Sequence, residues 1–327
     1  MGKKSEMDQL SLGLQTQAAG ERLFEEIPAL SRLELAYAKV RSNGGSPGPD
    51  GQSIEDFGEN LSDNLAELSA ELKSKRYQPA PVRRVSIPKP SGGERHLGIP
   101  TVRDRIVHYA IVLALEPWFE PYFSESSYGF RPGRSQRGAI EAAQKHVAKG
   151  KEWVVDLDLE KFFDTVNHDR VLHLIRQRVS DPRLLKLIAL ILRSGIEIDG
   201  RVEKSSLGLP QGSPLSPLLS NIVLHQLDLE LESRGLDFVR YADDANIFVG
   251  SQKAAERILS SITKFIEGQL KLRVNQAKSQ TALSKGVKFL GMTVLASGLA
   301  MISLGSMKAA RERVKELLPR SAKGSIE

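Results

Sequence analysis

The sequence predicts an α+β fold, with a mostly antiparallel sheet and helices packed on one face of it. Strand-like and helix-like segments are mixed along the chain from Trp153 onward, and residues 237–249 have the pattern of two apolar strands joined by a tight turn. Helix ends are well marked: Asp181-Pro182, for example, places a capping oxygen before a proline at the first helical position. Because a hairpin pairs its strands in antiparallel orientation, these observations favour an antiparallel sheet backed by helices.

Before residue 153 the same reasoning predicts helices, one irregular loop and a second hairpin. Residues 42–51 contain four glycines and two prolines and must leave regular structure. Residues 82–87 and 94–99 alternate as strands do, around a Pro/Gly turn. In chain order we predict helices 21–40 and 57–72, strands 82–87, 94–99 and 153–159, helices 167–179 and 181–194, a loop, helix 216–234, hairpin 237–249, helix 251–270, strands 273–283 and 287–295, and a basic helix 306–318.

Composition narrows the possible classes of function. The 327 residues carry a formal net charge of +6 and include no cysteine, which excludes disulfides, thiolate zinc sites and cysteine nucleophiles and fits a reducing compartment. The longest apolar runs, 106–115 and 184–192, are shorter than the roughly 20 residues that a membrane-spanning helix needs. No secretory or transit segment is recognisable at the start of the chain. The sequence therefore predicts an intracellular, cytoplasmic protein without a membrane partner.

Positive charge is concentrated around the predicted hairpin at 82–99. Residues 71–105 hold nine Lys or Arg against three Asp or Glu, so this window carries an excess equal to that of the whole chain. A basic hairpin of this kind is either a solvated surface or a binding element for phosphate groups. The charge alone permits nucleic-acid binding without establishing it.

Carboxylates stand out in two apolar segments. Asp156 and Asp158 share one face of a predicted strand because side chains alternate with period two. Asp243 and Asp244 lie at the predicted tip of a hairpin. Unpaired carboxylates held close together are costly, and Mg²⁺, which prefers oxygen ligands, removes that cost; two such ions can support phosphoryl transfer. The alternative is that Asp243-Asp244 is a polar turn and Asp158 a strand cap, since only the fold can bring together residues 85 positions apart.

Six blocks in a fixed order resemble reverse transcriptases, in particular those encoded by group II introns. The blocks are 87–100 with its Ile-Pro-Lys-Pro start, 127–135, 158–164 with its paired phenylalanines, 209–217 with Leu-Pro-Gln-Gly-Ser-Pro, 241–244 with Tyr-Ala-Asp-Asp, and 289–291 with Phe-Leu-Gly. The four-residue acidic block is weak alone, whereas six blocks in the right order are specific. The resemblance extends from about residue 21 to residue 318.

The resemblance implies a right-hand polymerase fold of fingers and palm with an incomplete thumb. It divides the chain into a flexible amino-terminal segment 1–20, an amino-terminal extension with fingers at 21–150, a palm with active site and primer grip at 151–300, and the start of a truncated thumb at 301–327. The implied activity is RNA-directed DNA polymerisation from dNTP in intron mobility. The implied partners are an RNA template, a DNA primer and an intron RNA bound as a ribonucleoprotein, with the oligomeric state open.

The resemblance also implies a catalytic set. Asp158, Asp243 and Asp244 match the family's metal-binding carboxylates, which hold two Mg²⁺ ions. Lys278 falls on a lysine proposed to assist the departure of pyrophosphate, although it can equally be a solvated lysine on a strand.

Four positions match residues that bind the incoming nucleotide. Lys89 and Arg95 fall on the fingers residues that meet the triphosphate, Gln211 falls in a loop that contacts nucleotide and template, and Phe163 falls on the ring that excludes a 2′-OH. Core packing of Phe163 and a simple turn role for Gln211 remain alternatives.

Two further groups concern the nucleic acid. Phe289, Leu290 and Gly291 match the primer grip, and Arg131 and Arg134 either bind template phosphates or brace the fingers. Two other functions stay open: an RNA-directed RNA polymerase, which shares the palm, and a maturase that binds intron RNA as a splicing cofactor with polymerase activity secondary.

Overall fold

The computed structural model describes residues 20, 22–88, 93–198, 200–204 and 206–318. Within this part the chain divides into two compact units, the first formed by the described residues up to 123 and from 161 to 226, and the second by residues 124–160 and the described residues from 227 onward. The predicted flexible segment 1–20, apart from Gly20, and the candidate residue Lys89 lie outside the described residues. The elements in chain order are α1 (Leu30–Asn43), α2 (Ile54–Glu59), α3 (Leu61–Lys73), β1 (Val82–Pro88), β2 (Glu94–Ile99), α4 (Val102–Phe119), α5 (Gln136–Ala148), β3 (Trp153–Leu157), α6 (Phe162–Thr165), α7 (His168–Arg176), α8 (Pro182–Leu192), β4 (Ile196–Ile198), β5 (Arg201–Glu203), α9 (Ser216–Ser233), β6 (Asp237–Tyr241), β7 (Asp244–Val249), α10 (Gln252–Phe265), β8 (Gln280–Leu283), β9 (Met292–Val294), β10 (Ala300–Ile302) and α11 (Leu304–Leu317).

Helices α1, α3 and α4 build the apolar core of the first unit. Its fully buried side chains include Leu33, Leu65, Leu68, Leu72, Ile106, Ile111 and Leu115. The predicted helix 21–40 was placed too early: Leu23–Glu26 forms a separate 3₁₀ turn, and Pro28, which lacks an N–H, separates it from α1. Helix α4 was missed because it is apolar around most of its circumference and so lacks the one-sided periodicity of a surface helix.

The first unit also contains a four-stranded sheet in the order β2-β1-β4-β5. β1 pairs antiparallel with β2, with Ile87 opposite Arg95, so the predicted basic hairpin is confirmed. β1 runs parallel to β4, and β4 pairs antiparallel with β5. The predicted loop between 194 and 216 was therefore wrong for β4 and β5, because three-residue strands are too short to show alternation.

Asp104 is a buried carboxylate that ties α4 to the segment before β1. It is 3% exposed and accepts hydrogen bonds from the Tyr77 hydroxyl at 2.6 Å and the Ala80 N–H at 3.0 Å. Burial raises the pKa of Asp104, and these donors oppose that shift. The carboxylate thus satisfies two donors that have little access to water.

The substitution Asp104→Ala is expected to lower the free energy of unfolding by about 3 kcal/mol, because it leaves the buried Tyr77 hydroxyl and the part-buried Ala80 N–H without their acceptor. Chemical denaturation followed by circular dichroism measures this. Glu67→Ala on the exposed face of α3 is the matched control and should change stability by less than about 0.5 kcal/mol. Equal losses of unfolding free energy in the two variants would contradict the stabilising role of Asp104.

The second unit is built on an antiparallel sheet in the order β6-β7-β3-β8, which confirms the predicted α+β class. Asp156 on β3 lies opposite Asn246 on β7 and Gln280 on β8. On the same face, Val154 and Phe248, two residues further along their strands, and Val239, opposite Asn246, form an apolar cluster with α5 residues that include Ala139, Ala143 and Val147. Helices therefore lie against both faces, since α9 contacts Arg240 on the opposite face; the prediction of helices on a single face was too simple.

Three further segments of the second unit differ from the sequence prediction. The predicted strand 273–283 shortens to β8, because residues 275–279 form a turn in which Asn275 accepts from two backbone N–H groups. The predicted strand 287–295 shortens to β9, and α5 was not predicted. Among the described residues, no helix combines the length and apolar character needed to cross a bilayer.

Candidate functional site

Asp158, Asp243 and Asp244 lie at one end of the second unit's sheet. The β3–β7 pairing ends at Leu157 opposite Ala245, so Asp158, one residue further, lies across from Asp244. Asp243 is in the two-residue turn of the β6–β7 hairpin, where Tyr241 pairs with Asp244. The fold thus brings together carboxylates that are far apart in sequence and that the sequence analysis had grouped.

The electrostatics show that negative charge at this end is not fully compensated. Desolvation, followed by the charges of Asp243, Asp158 and Asp156, raises the pKa of Asp244 to about 6, and Lys278 offsets part of the shift. Asp244 nevertheless keeps access to solvent at the end of its strand. A carboxylate held among like charges is one that a bound cation would stabilise.

Asp156 is a fourth carboxylate on this face, and the sequence analysis gave it no role. Burial is the main cause that raises its pKa, and the charge of Asp158 adds to it. The Gln280 side-chain amide donates to Asp156 at 3.3 Å, and Asn246, with its amide nitrogen turned toward Asp156, donates at 3.0 Å. Two amide donors therefore hold Asp156, while Asp158 and Asp244 extend further toward the end of the sheet.

These residues fit a divalent cation whose shell is completed by other ligands. In the described part of the chain, no three acidic or histidine side chains are arranged as a preformed cage for an ion. Mg²⁺ in phosphoryl-transfer sites usually takes one or two carboxylates and completes its octahedron with waters and substrate phosphates. The chemistry of the donor set and the raised pKa of Asp244 agree with such a partly protein-built site.

Lys278 is positioned next to Asp158 by a turn rather than by the predicted strand. Its Nζ lies 3.7 Å from Asp158 Oδ2, and its side chain is mostly exposed. The turn is fixed to the end of β3: the Asp158 N–H donates to Ser279 Oγ at 3.0 Å, and the Asn275 N–H donates to the Asp158 carbonyl at 2.9 Å. Lys278 is thus placed beside Asp158 by the backbone of the turn, and its side chain is mostly exposed to solvent.

In the first unit, three of the four predicted nucleotide-binding residues are joined through the loop 209–217. Arg95 Nε donates to Gln211 Oε1 at 3.0 Å, and the Gly98 N–H donates to the Gln211 carbonyl at 2.7 Å. The Leu209 N–H donates to the Phe163 carbonyl at 2.6 Å. Residues 116 positions apart in sequence, Arg95 and Gln211, are therefore direct partners.

The same loop is anchored by His108, a buried histidine of α4. His108 Nδ1 lies 3.0 Å from Ser213 Oγ, and burial lowers the pKa of His108 to about 3, so the ring is neutral. The Ser213 hydroxyl accepts from the Leu215 N–H at 3.2 Å and can donate to the imidazole. The sequence showed a serine, Ser213, within a Pro/Gly loop, but it did not identify His108 as the partner of that serine.

Phe163 has a fixed backbone and a half-buried ring. Its ring meets that of the buried Phe162 edge to face, with centroids 5.2 Å apart. Gly208, at φ +95°, passes so close that a Cβ there would lie 3.1 Å from the Phe163 carbonyl oxygen. Only a residue without a side chain fits this approach comfortably.

The predicted primer grip forms a tight hairpin in the second unit. Phe289 and Met292 exchange two backbone hydrogen bonds, and Leu290 and Gly291 between them both have positive φ, 51° and 82°. This is the geometry of a type I′ turn. Gln136 Nε2 donates to the Leu290 carbonyl at 2.7 Å, so the turn is tied to α5.

Arg131 and Arg134 lie in the loop before α5 and differ in exposure. Arg131 is 8% exposed and donates to the Ser124 and Ser127 carbonyls at 2.5 and 2.8 Å, an arrangement that favours the bracing role. Arg134 stacks over the Tyr128 ring and forms an ion pair with Glu125. A template contact stays a prediction for both residues.

Comparison with known proteins agrees with these features. The family described as reverse transcriptase (RNA-dependent DNA polymerase) matches residues 87–294. Protein YkfC of Escherichia coli K12 is 36% identical over 298 residues, which cover 79% of this chain and 78% of YkfC. The group II intron-encoded protein LtrA of Lactococcus lactis subsp. cremoris is 28% identical over 340 residues, covering 84% of this chain and 56% of LtrA, so the chain spans little more than half of that relative.

A solved structure supports the architecture. Telomerase from Candida albicans, solved with a fragment of telomeric RNA, superposes with a TM-score of 0.53 at 12% identity, covering 77% of this chain and 50% of that one. Similarity at this level shows the fold alone, and that fold agrees with the predicted polymerase fingers and palm. Divalent-metal dependence is general in the matched family. The chain belongs to the reverse transcriptase family and is of the type encoded by group II introns.

Proposed function

We propose that this chain synthesises DNA on an RNA template by two-metal nucleotidyl transfer from dNTP to a primer 3′-OH, in the mobility of a group II intron. The observation that carries the proposal is the position of Asp158, Asp243 and Asp244 at one end of a sheet, where burial and then neighbouring negative charge raise the pKa of Asp244 to about 6. Intron RNA is the proposed ribonucleoprotein partner, and the name of the relative LtrA supports that choice.

Asp158, Asp243 and Asp244 would hold the Mg²⁺ ions. Bound Mg²⁺ would lower the pKa of the primer hydroxyl and offset negative charge on the attacked phosphate. The amide-held carboxylate of Asp156 adds negative potential behind these ligands. Lys278, whose ammonium already lies 3.7 Å from Asp158, supplies a mobile positive charge for the pyrophosphate leaving group.

The first unit would bind the nucleotide. Gln211 engages Arg95 through Nε, which orients the guanidinium while its exposed terminal nitrogens can donate to triphosphate oxygens. Lys89 is proposed as a second cation of the same hairpin. The Phe163 ring would stand against the sugar and exclude a 2′-OH by its bulk, which favours dNTP over NTP.

Primer extension on an RNA template tests the proposal. With wild-type protein and Mg²⁺, we expect primer extension from dNTP. Extension should stop when EDTA exceeds the metal and resume when Mg²⁺ is restored, because the reaction needs oxygens activated by the metal. Reactions with NTP, and binding of intron RNA without substrate, run in parallel. Efficient NTP use would favour an RNA polymerase, and tight RNA binding without extension would favour a maturase that acts only in splicing.

A further inference from the structure

A buried arginine lies directly behind the acidic turn. Arg240 on β6 is 0% exposed, and so is its partner Asp228 on α9. The pair is bidentate, with Nε 2.7 Å from Asp228 Oδ1 and Nη2 2.6 Å from Oδ2. Nη2 also donates to Ser127 Oγ at 2.7 Å, and Nη1 donates to the Ala242 carbonyl at 2.8 Å.

The bond to Ala242 acts on the backbone that carries the catalytic aspartates. The Ala242 carbonyl belongs to the peptide that joins Ala242 to Asp243, so Arg240 donates a hydrogen bond to the peptide unit that directly precedes Asp243. Ala242 has φ 57°, a left-handed conformation that is uncommon for a residue with a side chain and that surrounding contacts must maintain. The hydrogen bond from Arg240 therefore constrains the turn at its residue with left-handed φ.

The loop of residues 126–129 also contacts Arg240 and the turn. The Arg240 N–H donates to the Ser126 carbonyl, and the Tyr128 N–H donates to the Arg240 carbonyl, both at 2.8 Å. Gly129 then passes so close to the turn that a Cβ on it would lie 2.2 Å from the Ala242 nitrogen. This loop thus contacts both Arg240 and Ala242.

Stability alone does not account for this pair. The desolvation cost of two buried charges offsets much of their attraction, and replacing such a pair by apolar side chains of similar volume is often neutral or stabilising. An apolar pair, however, cannot donate to the Ala242 carbonyl or hold Ser127. The function that requires a guanidinium here is control of the turn geometry.

We propose that Arg240, oriented by Asp228 and Ser127, is a positioning residue that sets the turn bearing Asp243 and Asp244 for metal binding. The inference rests on the proposed function, because it assigns these aspartates to the metal. Partners that orient metal ligands without touching the metal typically change metal affinity or activity about 10- to 100-fold when they are removed.

Two variants separate positioning from stability. Arg240→Lys keeps the charge but loses the fork, and the double variant Arg240→Met, Asp228→Leu replaces the pair by apolar side chains. Binding of Mn²⁺ alone is measured by electron paramagnetic resonance of the free ion, beside thermal unfolding. We expect the double variant to unfold within a few degrees of wild type, and the Mn²⁺ dissociation constant of both variants to rise about 10-fold or more. In extension, kcat should fall while KM for dNTP changes little.

Controls keep the outcomes distinct. Arg234→Met removes an arginine–carboxylate pair near the end of α9, away from the turn, and should leave Mn²⁺ binding unchanged. Should both Arg240 variants fail to fold, Ser127→Ala removes one acceptor and is expected to raise the Mn²⁺ dissociation constant about two- to threefold. If the Arg240 variants fold and bind Mn²⁺ as tightly as wild type, the inference is overturned. If they do not fold, wild-type Mn²⁺ affinity in Ser127→Ala overturns it. Wild-type protein that neither binds Mn²⁺ nor extends a primer would instead overturn the proposed function.

Discussion

Primer extension by the double variant Asp243→Asn, Asp244→Asn is expected to fall at least about 1,000-fold, while its affinity for RNA stays close to that of wild type. Asparagine keeps the shape of the side chain but removes the negative charge that would hold a metal. Metal stabilisation of the transition state contributes several kcal/mol, and each 1.4 kcal/mol corresponds to about tenfold in rate. Single-nucleotide extension and filter binding of a labelled RNA measure the two quantities.

The loss should not come from unfolding. The pKa of Asp244 in the folded protein, about 6, lies above the ordinary carboxyl value of 3.8, so its ionisation opposes folding as pH rises through this range. Replacing the aspartates by neutral amides removes the cost of burying a charged Asp244 and its repulsion by the neighbouring carboxylates. At pH 7 the double variant is therefore expected to unfold at a temperature no lower than that of wild type.

Asp237→Asn provides a matched control on the same hairpin. Asp237 starts β6, at the end away from the turn, and pairs there with Lys151 and His146. Its replacement should weaken that local ion pair and leave extension within about twofold of wild type, since exposed pairs contribute little. Extension that survives in the double variant would show that Asp243 and Asp244 do not hold the metal.

The position of each carboxylate within its own strand or turn could be predicted because it depends on local residue pattern. Period-two alternation put Asp156 and Asp158 on one face, and the short polar interval between two apolar runs put Asp243 and Asp244 at a hairpin tip. That the strands are neighbours depended on the order of the six blocks, which supplied the fold. The β3–β7 pairing then follows from that fold rather than from any spacing.

Partners across long sequence distances could not be predicted. Nothing in the apolar segment around Arg240 identifies Asp228 as its partner, because each residue alone looks like a charged position on a regular element. The contact between Arg95 and Gln211 depends likewise on the approach of β2 to a loop. Residue patterns report which face a side chain occupies, whereas pair contacts depend on how elements dock.

Substitution of Phe163 in the first unit is expected to change the choice between dNTP and NTP. We expect Phe163→Ala to raise the selectivity for NTP relative to dNTP about 10- to 100-fold, because steric exclusion of one hydroxyl corresponds to about 1–3 kcal/mol. The Phe163 carbonyl accepts a hydrogen bond from the Leu209 N–H, so the backbone at position 163 should stay in place when the ring is removed. The ratio of kcat/KM for matched dNTP and NTP in single-nucleotide extension measures the change.

The neighbouring ring tells a steric gate from core packing. Phe162 is 2% exposed, whereas Phe163 is only half-buried, so Phe162→Leu should lower the unfolding temperature and leave the ratio unchanged. Phe163→Ala should do the reverse, with a large change in the ratio and a smaller loss of stability. If Phe163→Ala destabilised the protein as much as Phe162→Leu and kept the wild-type ratio, the ring would belong to the core. Discrimination against ribonucleotides would then have to come from another residue near the sugar.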